Sequence, residues 1–231
     1  MSNCPACFSV AATTPPSRRV VMLDNLAATA ASDPRVQSVA RYLYDQLAAR
    51  LGRGPTAAET AQWLMDALHL LCDYAPDPPG EEVFQSVEWT LSGACSPDIS
   101  PITDRPKGCG DCEDLASCFV ALCMCLGLRA RVRWWDQPGQ ALNHVSAQVA
   151  IDGTWTDAET TIPGARLGES PYAALARVGP SFRTRIFGLN EAAGGLFRPA
   201  GSPGDAAEVR VTGLGAPGAT LAEWSFIVEG R

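Results

Sequence analysis

The sequence predicts an α+β protein in which helices come first and an antiparallel sheet follows. Two patterns carry this expectation: apolar residues recur at helical spacing through the first half of the chain, and from residue 129 onward they alternate as in strands. Between the two lies KGCGDCEDLASCFVALCMCLGLRAR, residues 107–131, which reads as a buried helix and holds five of the nine cysteines.

Residues 1–32, rich in Ala, Thr, Pro and Ser, are expected to form an N-terminal arm, with a single domain over 33–231. Within it, 33–91 is a helical part, 108–162 the core that carries the chemistry, and 163–231 a C-terminal elaboration. The first helix opens at Asp33, a natural N-cap, with Pro34 at the first helical position. Val36, Val39, Ala40, Leu43, Leu47 and Leu51 follow at helical spacing up to Gly52. A second helix starts at the capping-box pair Thr56 and Glu59 and runs to Tyr74, where APDPPG stops it. His69 lies among its apolar neighbours and is assigned no role. EEVFQSVEWTL, 81–91, predicts a short helix, and 92–107 a loop.

After the cysteine-rich helix, RARVRWWD, NHVSAQVAID and TWTDAE predict successive strands, the last two joined by a tight turn at Asp152 and Gly153. Residues 170–178 predict another short helix. AEVRVTG and AEWSFIVEG predict a closing pair of strands around loop-like sequence in 188–220.

Composition narrows the function. With 231 residues, 46% hydrophobic and 19% charged, the chain is an ordinary globular one. Its formal charge of −7 and pI near 4.8 give no basic face for nucleic acid or anionic membrane. No segment reaches the roughly 18 uninterrupted apolar residues of a spanning helix. The first residues lack the pattern of a secretory signal, so a cytoplasmic location is expected, with virion association as the alternative. An odd number of cysteines, several at helix-interior positions, points to a reducing compartment and mostly unpaired thiols. Cys118, Cys123 and Cys125 read as core filler.

Cys112 falls in the first turn of the central helix, where unpaired backbone N–H groups and the helix dipole favour a thiolate. Gly108 and Gly110 relax the entering backbone and let a substrate approach. His144 is one of only two histidines, and Asp157 lies on the next strand, so a tight turn brings the two toward one end of the sheet. A nucleophile at a helix start with a base and a carboxylate on adjacent strands is an arrangement for acyl transfer.

This arrangement resembles the transglutaminase-like superfamily, within the wider papain-like cysteine enzymes. The resemblance lies in GDCEDLASCFVALCMCLGLRARV followed by NHVSAQVAIDGTWTDAETT, about 55 residues in all. It implies a papain-like fold of N-terminal helices and a central helix with Cys at its N-terminus, packed on an antiparallel sheet. It also implies that Cys112 is the nucleophile, His144 the general base and Asp157 the residue that orients the imidazole. Peptide or isopeptide hydrolysis, or transamidation, of a peptide or protein substrate would follow, without a metal or organic cofactor. Two features depart from the family pattern: Glu159 competes with Asp157, and the residues around His144 are plain. Gln85 and Trp89 are the candidates for a second oxyanion donor beside the Cys112 N–H. The compact layout also resembles proteins of bacteria and tailed phages.

Three other readings stand beside this one. CPAC at 4–7 and CGDC at 109–112 present Cys4, Cys7, Cys109 and Cys112 as a four-thiolate zinc site. CGDC alone reads as a redox dithiol. A fold retained without its chemistry would serve as a structural or assembly protein, for instance in a phage particle.

Overall fold

Helices wrapped around one buried helix, and a sheet laid against it, make up the described part of the protein. The computed structural model describes residues 7–11, 14–77, 82–91, 96–136 and 143–177, and the strands 207–211 and 226–228. After β1 (Phe8–Ser9), the first helix is α1 (Pro16–Ala30), in the segment expected to be an arm. Pro16 fits the first helical turn, and Val20, Leu23, Ala27 and Ala30 bury one stripe in the core. The stripe is hard to see in the sequence because Arg19 and Asp24 lie on it, while the apolar Val21, Met22 and Leu26 lie off it.

Helix α2 (Pro34–Leu51) starts as expected, with Asp33 accepting from the Arg35 N–H at 2.7 Å, and ends at Gly52 with φ +66°. Helix α3 (Ala57–Leu71) begins with the Thr56–Glu59 capping box. It stops three residues earlier than expected, because β2 (Cys72–Tyr74) pairs in parallel with β4 (Gly108–Gly110). The expected helix over 81–91 is likewise divided into β3 (Val83–Phe84), which pairs with β1, and the short α4 (Val87–Leu91). Both corrections have one cause: a partner strand distant in sequence overrides local helical spacing.

Helix α5 (Cys112–Cys125) follows β4, and every residue from Glu113 to Cys123 is buried. It packs against α1, α2, α3 and α4 on one side and the sheet on the other, so it is apolar nearly all round. The sheet contains β5 (Ala130–Asp136), β6 (Asn143–Ile151), β7 (Thr154–Ala158), β8 (Ala207–Val211) and β9 (Phe226–Val228), in the order β7-β6-β5-β8-β9, all antiparallel. The predicted hairpin at Asp152 and Gly153 is present, both residues at positive φ as a two-residue hairpin turn requires. The short helix α6 (Pro171–Arg177) follows. Most of the predicted loop over 188–220 lies outside the described residues.

The sheet register divides its side chains into two sets. Val132, Trp134, Val145, Ala147, Val149 and Ala158 belong to the core shared with α5. The alternate set contains Arg131, Arg133, Trp135, His144, Ser146, Gln148 and Asp157. No helix among the described residues is long and apolar enough to cross a membrane.

Candidate active site

Strand β4 delivers the chain to the start of α5 through a narrow passage. A Cβ on Gly108 would lie 1.5 Å from the Thr90 carbonyl oxygen, and one on Gly110 would lie 2.6 Å from the Asp114 Cβ. The glycines therefore let β4 slot between α4 and α5, a packing role beyond the substrate approach expected of them. Asp114 fixes the corner: its Oδ1 accepts the Gln85 N–H at 2.8 Å and its Oδ2 the Asp111 N–H at 3.4 Å.

Cys112 is the first residue of α5 and is partly buried. Its thiol donates to Glu113 Oε2 at 3.0 Å, and the backbone N–H of Val145 is directed at the sulfur. The Tyr74 phenol stands in the same neighbourhood, where burial first, and then Cys112, Asp111, Glu113 and Asp77, push it up. A thiolate was expected at this helix start. The surroundings favour the thiol instead: burial first, then the Glu113 and Asp111 carboxylates, raise Cys112 well above the usual thiol range. Burial, together with the acid groups alongside, outweighs the partial positive charge of the helix end.

The Val145 N–H belongs to the peptide unit that follows His144, so β6 brings the sulfur and the histidine residue to one place. His144 is 5% exposed, and its Nε2 lies 2.8 Å from Glu159 Oε2. Glu159 is fully buried, and Oε1 accepts the Thr161 N–H at 2.8 Å and the Thr161 hydroxyl. Burial pushes Glu159 up, but the His144 and Thr161 groups outweigh it and hold the carboxyl below its ordinary value. The residue beside the imidazole is thus the competitor, Glu159, and not Asp157. Asp157 forms an ion pair with Arg133 and accepts from Gln148 Nε2 at 2.8 Å. His69 lies near Glu159 on the α3 side, and burial lowers it to about 4, so it is neutral there.

Gln85 is buried and holds the α5 corner through its backbone N–H. The Trp89 backbone N–H is bound by Ser86 Oγ at 3.2 Å. The donor found at the sulfur is the Val145 N–H, which no sequence pattern announces. Cys7 and Cys109 are each disulfide-bonded, whereas Cys72, Cys112, Cys118, Cys123 and Cys125 are free. Mostly unpaired thiols were expected, and five of the seven described cysteines are free, Cys7 and Cys109 being the bridged ones. The zinc site of Cys4, Cys7, Cys109 and Cys112 is corrected by the same finding, because two of its four sulfurs have no lone thiolate to give. Cys4 lies outside the described residues. The CGDC pair is not a closed dithiol either, since Cys112 is free while Cys109 is bridged elsewhere.

The core model of the transglutaminase-like superfamily matches residues 45–160, half of the chain. No curated protein matches. Among solved structures, the chain is similar to a protein described as a candidate cysteine protease from Cytophaga hutchinsonii. The two share 16% identity, with 65% of this chain and 46% of that one covered and a TM-score of 0.39. It is also similar to a structure described as a TGase, at 14% identity, covering 73% of this chain and 39% of that one with a TM-score of 0.32. The chain therefore spans less than half the length of each.

Proposed function

The chain belongs to the transglutaminase-like superfamily, and on that premise we propose that it performs thiol-dependent acyl transfer on amide bonds, with Cys112 as nucleophile, His144 as general base and Glu159 as the residue that orients the imidazole. The observation that carries the proposal is the meeting of a helix-start thiol with the His144–Val145 peptide, the histidine itself held at Nε2 by a buried carboxylate.

The thiol rests protonated, so the step begins with His144 accepting the Cys112 proton as the sulfur attacks the carbonyl carbon. The carbonyl π bond becomes an oxyanion, which the N–H groups at the start of α5 stabilise. As the oxyanion collapses to a thioester, the imidazolium returns its proton to the departing amine nitrogen. Water or an amine then attacks the thioester, His144 takes its proton, and the thiol is regenerated. Glu159 stabilises the imidazolium throughout and fixes which nitrogen carries the proton.

One observation favours a non-catalytic, structural or assembly role: the thiol is bonded to Glu113 and raised rather than activated. One measurement separates the two readings. An uncharged electrophile such as iodoacetamide, followed by peptide mapping, is expected to modify Cys112 well ahead of the half-buried Cys125. His144→Ala is expected to slow that modification by about a hundredfold, the scale of a lost general base. Equal labelling of Cys112 and Cys125, unchanged in the variant, would overturn the enzyme proposal.

A further inference from the structure

Strand β4 has two faces, and the bridged Cys109 lies on the one that the acyl-transfer chemistry does not use. Gly108 and Gly110 face Thr90 and Asp114, so the period of two sends the Cys109 side chain the other way. Cys109 pairs with Asp73 across the parallel β2–β4 ladder, and residues in register share a face. On that face the Asp73 carboxylate accepts Lys107 Nζ at 2.9 Å and the Ser96 hydroxyl at 2.5 Å. The Ser96 N–H donates to the Lys107 carbonyl at 3.3 Å, and the Lys107 N–H to the Asp98 carbonyl at 2.7 Å. Residues 96–107 therefore fold back on themselves, with Ile99 bridged to Pro106, and their open end meets β4 on the Cys109 side. At the far end the Tyr42 hydroxyl donates to the Ile102 carbonyl at 2.9 Å.

The nine cysteines leave few partners for this bridge. Five are free, Cys7 and Cys109 are bonded, and Cys4 and Cys95 lie outside the described residues. Cys7 leads into β1, whose register sets Phe8 against Phe84, next to Gln85 and the Asp114 corner. That is the glycine face of β4, the wrong side for Cys109. Cys95 directly precedes Ser96, the residue hydrogen-bonded to both Asp73 and Lys107. Opposed Cα atoms of antiparallel chains lie about 4.5–5.5 Å apart, within the span of about 4.4–6.8 Å that a disulfide bridges.

We propose that Cys109 is bonded to Cys95, and that this bond is a redox latch that seats β4 and with it the Cys112 nucleophile three residues on. The bond clasps the base of the 96–107 hairpin to a strand whose own pairing with β2 is only three residues long. The Asp73 side chain on the same face is 32% exposed, so a small dithiol reductant reaches this region. One thiolate of the reductant attacks a bridge sulfur, forming a mixed disulfide and releasing the other cysteine as a thiol. Its second thiol then displaces the remaining protein sulfur and closes the oxidised reductant, so two electrons and two protons pass to Cys95 and Cys109. With the latch open, the Cys112 sulfur loses its fixed place beside the His144–Val145 peptide, and acyl transfer slows. The pairing is independent of the acyl-transfer reading, and the effect on rate rests on it.

The test begins with peptide mapping of the full chain without reduction, its free thiols blocked in denaturant, which is expected to find Cys95 and Cys109 linked. Iodoacetamide labelling of the native protein is then measured before and after dithiothreitol treatment, the reductant being removed under inert gas. Reduction is expected to slow labelling of Cys112, relative to that of Cys125, by about tenfold, a modest share of what a misplaced reacting group costs. Cys109→Ser and Cys95→Ser are each expected to be as slow without reductant and to slow no further with it. The reduced protein carries no substitution, so the comparison holds even where a variant fails to fold. A bridge from Cys109 to any other cysteine would overturn the latch. So would a Cys112 rate that reduction leaves unchanged; if that rate still falls in His144→Ala, the acyl-transfer reading stands. A Cys112 that iodoacetamide labels in neither state would overturn both.

Discussion

At the scale of single residues, two carboxylates compete for one imidazole, and strand geometry decides between them. Gln148 pairs with Asp157 across the β6–β7 ladder, and His144 lies four residues further along β6. That separation is about 13 Å at the rise of a strand, whereas Glu159 is two residues closer and reaches the ring diagonally. The period of two places Asp157 and Glu159 on the same face, so alternation in the sequence cannot choose, and only the register does. Glu159→Gln is expected to lower His144-dependent labelling of Cys112 by about tenfold or more, because a neutral amide stabilises an imidazolium less than a buried carboxylate does. Asp157→Asn is expected to leave that rate within about twofold and to act on stability through the Arg133 pair. The reverse ranking would return the orienting role to Asp157.

The elements differ in how visible they are in the sequence. Helices α2 and α3 announce themselves by caps and spacing, since Asp33, Thr56 and Glu59 act on backbone groups a few residues away. The Asp152–Gly153 hairpin is legible for the same reason. Strands β2 and β4 are not, because each is three residues long and exists only by pairing with a segment some 35 residues distant. The position of Cys112 at a helix start is therefore readable, but the surroundings that keep it a thiol are not. Burial by distant segments comes first, then the neighbouring Glu113 and Asp111 carboxyls, while the Val145 N–H on β6 pulls the other way. The β4 passage yields a direct expectation. Gly108→Ala sets a methyl group against the Thr90 carbonyl at 1.5 Å, a backbone atom that no rotamer change can move. Thermal or urea unfolding should show a loss of about 3 kcal/mol, the upper range for overpacking. Gly127→Ala, where a Cβ meets nothing within 4 Å but φ is +76°, isolates backbone strain and should cost about 1 kcal/mol. Equal costs for the two would mean that β4 is not wedged as described.

At the scale of the whole molecule, α1 ties the helical part to the sheet through one buried acid. Asp24 is 1% exposed, and its Oδ1 accepts the Val132 N–H of β5 at 2.9 Å, while Oδ2 has no hydrogen-bond partner among the described residues. Burial raises its carboxyl to about 7, with the Val132 N–H and the Arg131 charge pulling the other way. The folded protein thus keeps a proton on Asp24 that the unfolded chain, at an ordinary carboxylate value of roughly 4, has already released. Between those two values the native state binds more protons than the unfolded one, so stability from this group is fully present below about 4 and falls as pH rises toward 7. Asp24→Asn retains an oxygen for the Val132 N–H but has nothing to ionise. Urea unfolding across this pH range should find the variant close to the unaltered protein at the acid end and more stable by about 2–4 kcal/mol once pH exceeds 7. If the two stability curves ran parallel over that range, the α1–β5 junction would be ionised at neutral pH and Arg131, rather than a retained proton, would be what balances it.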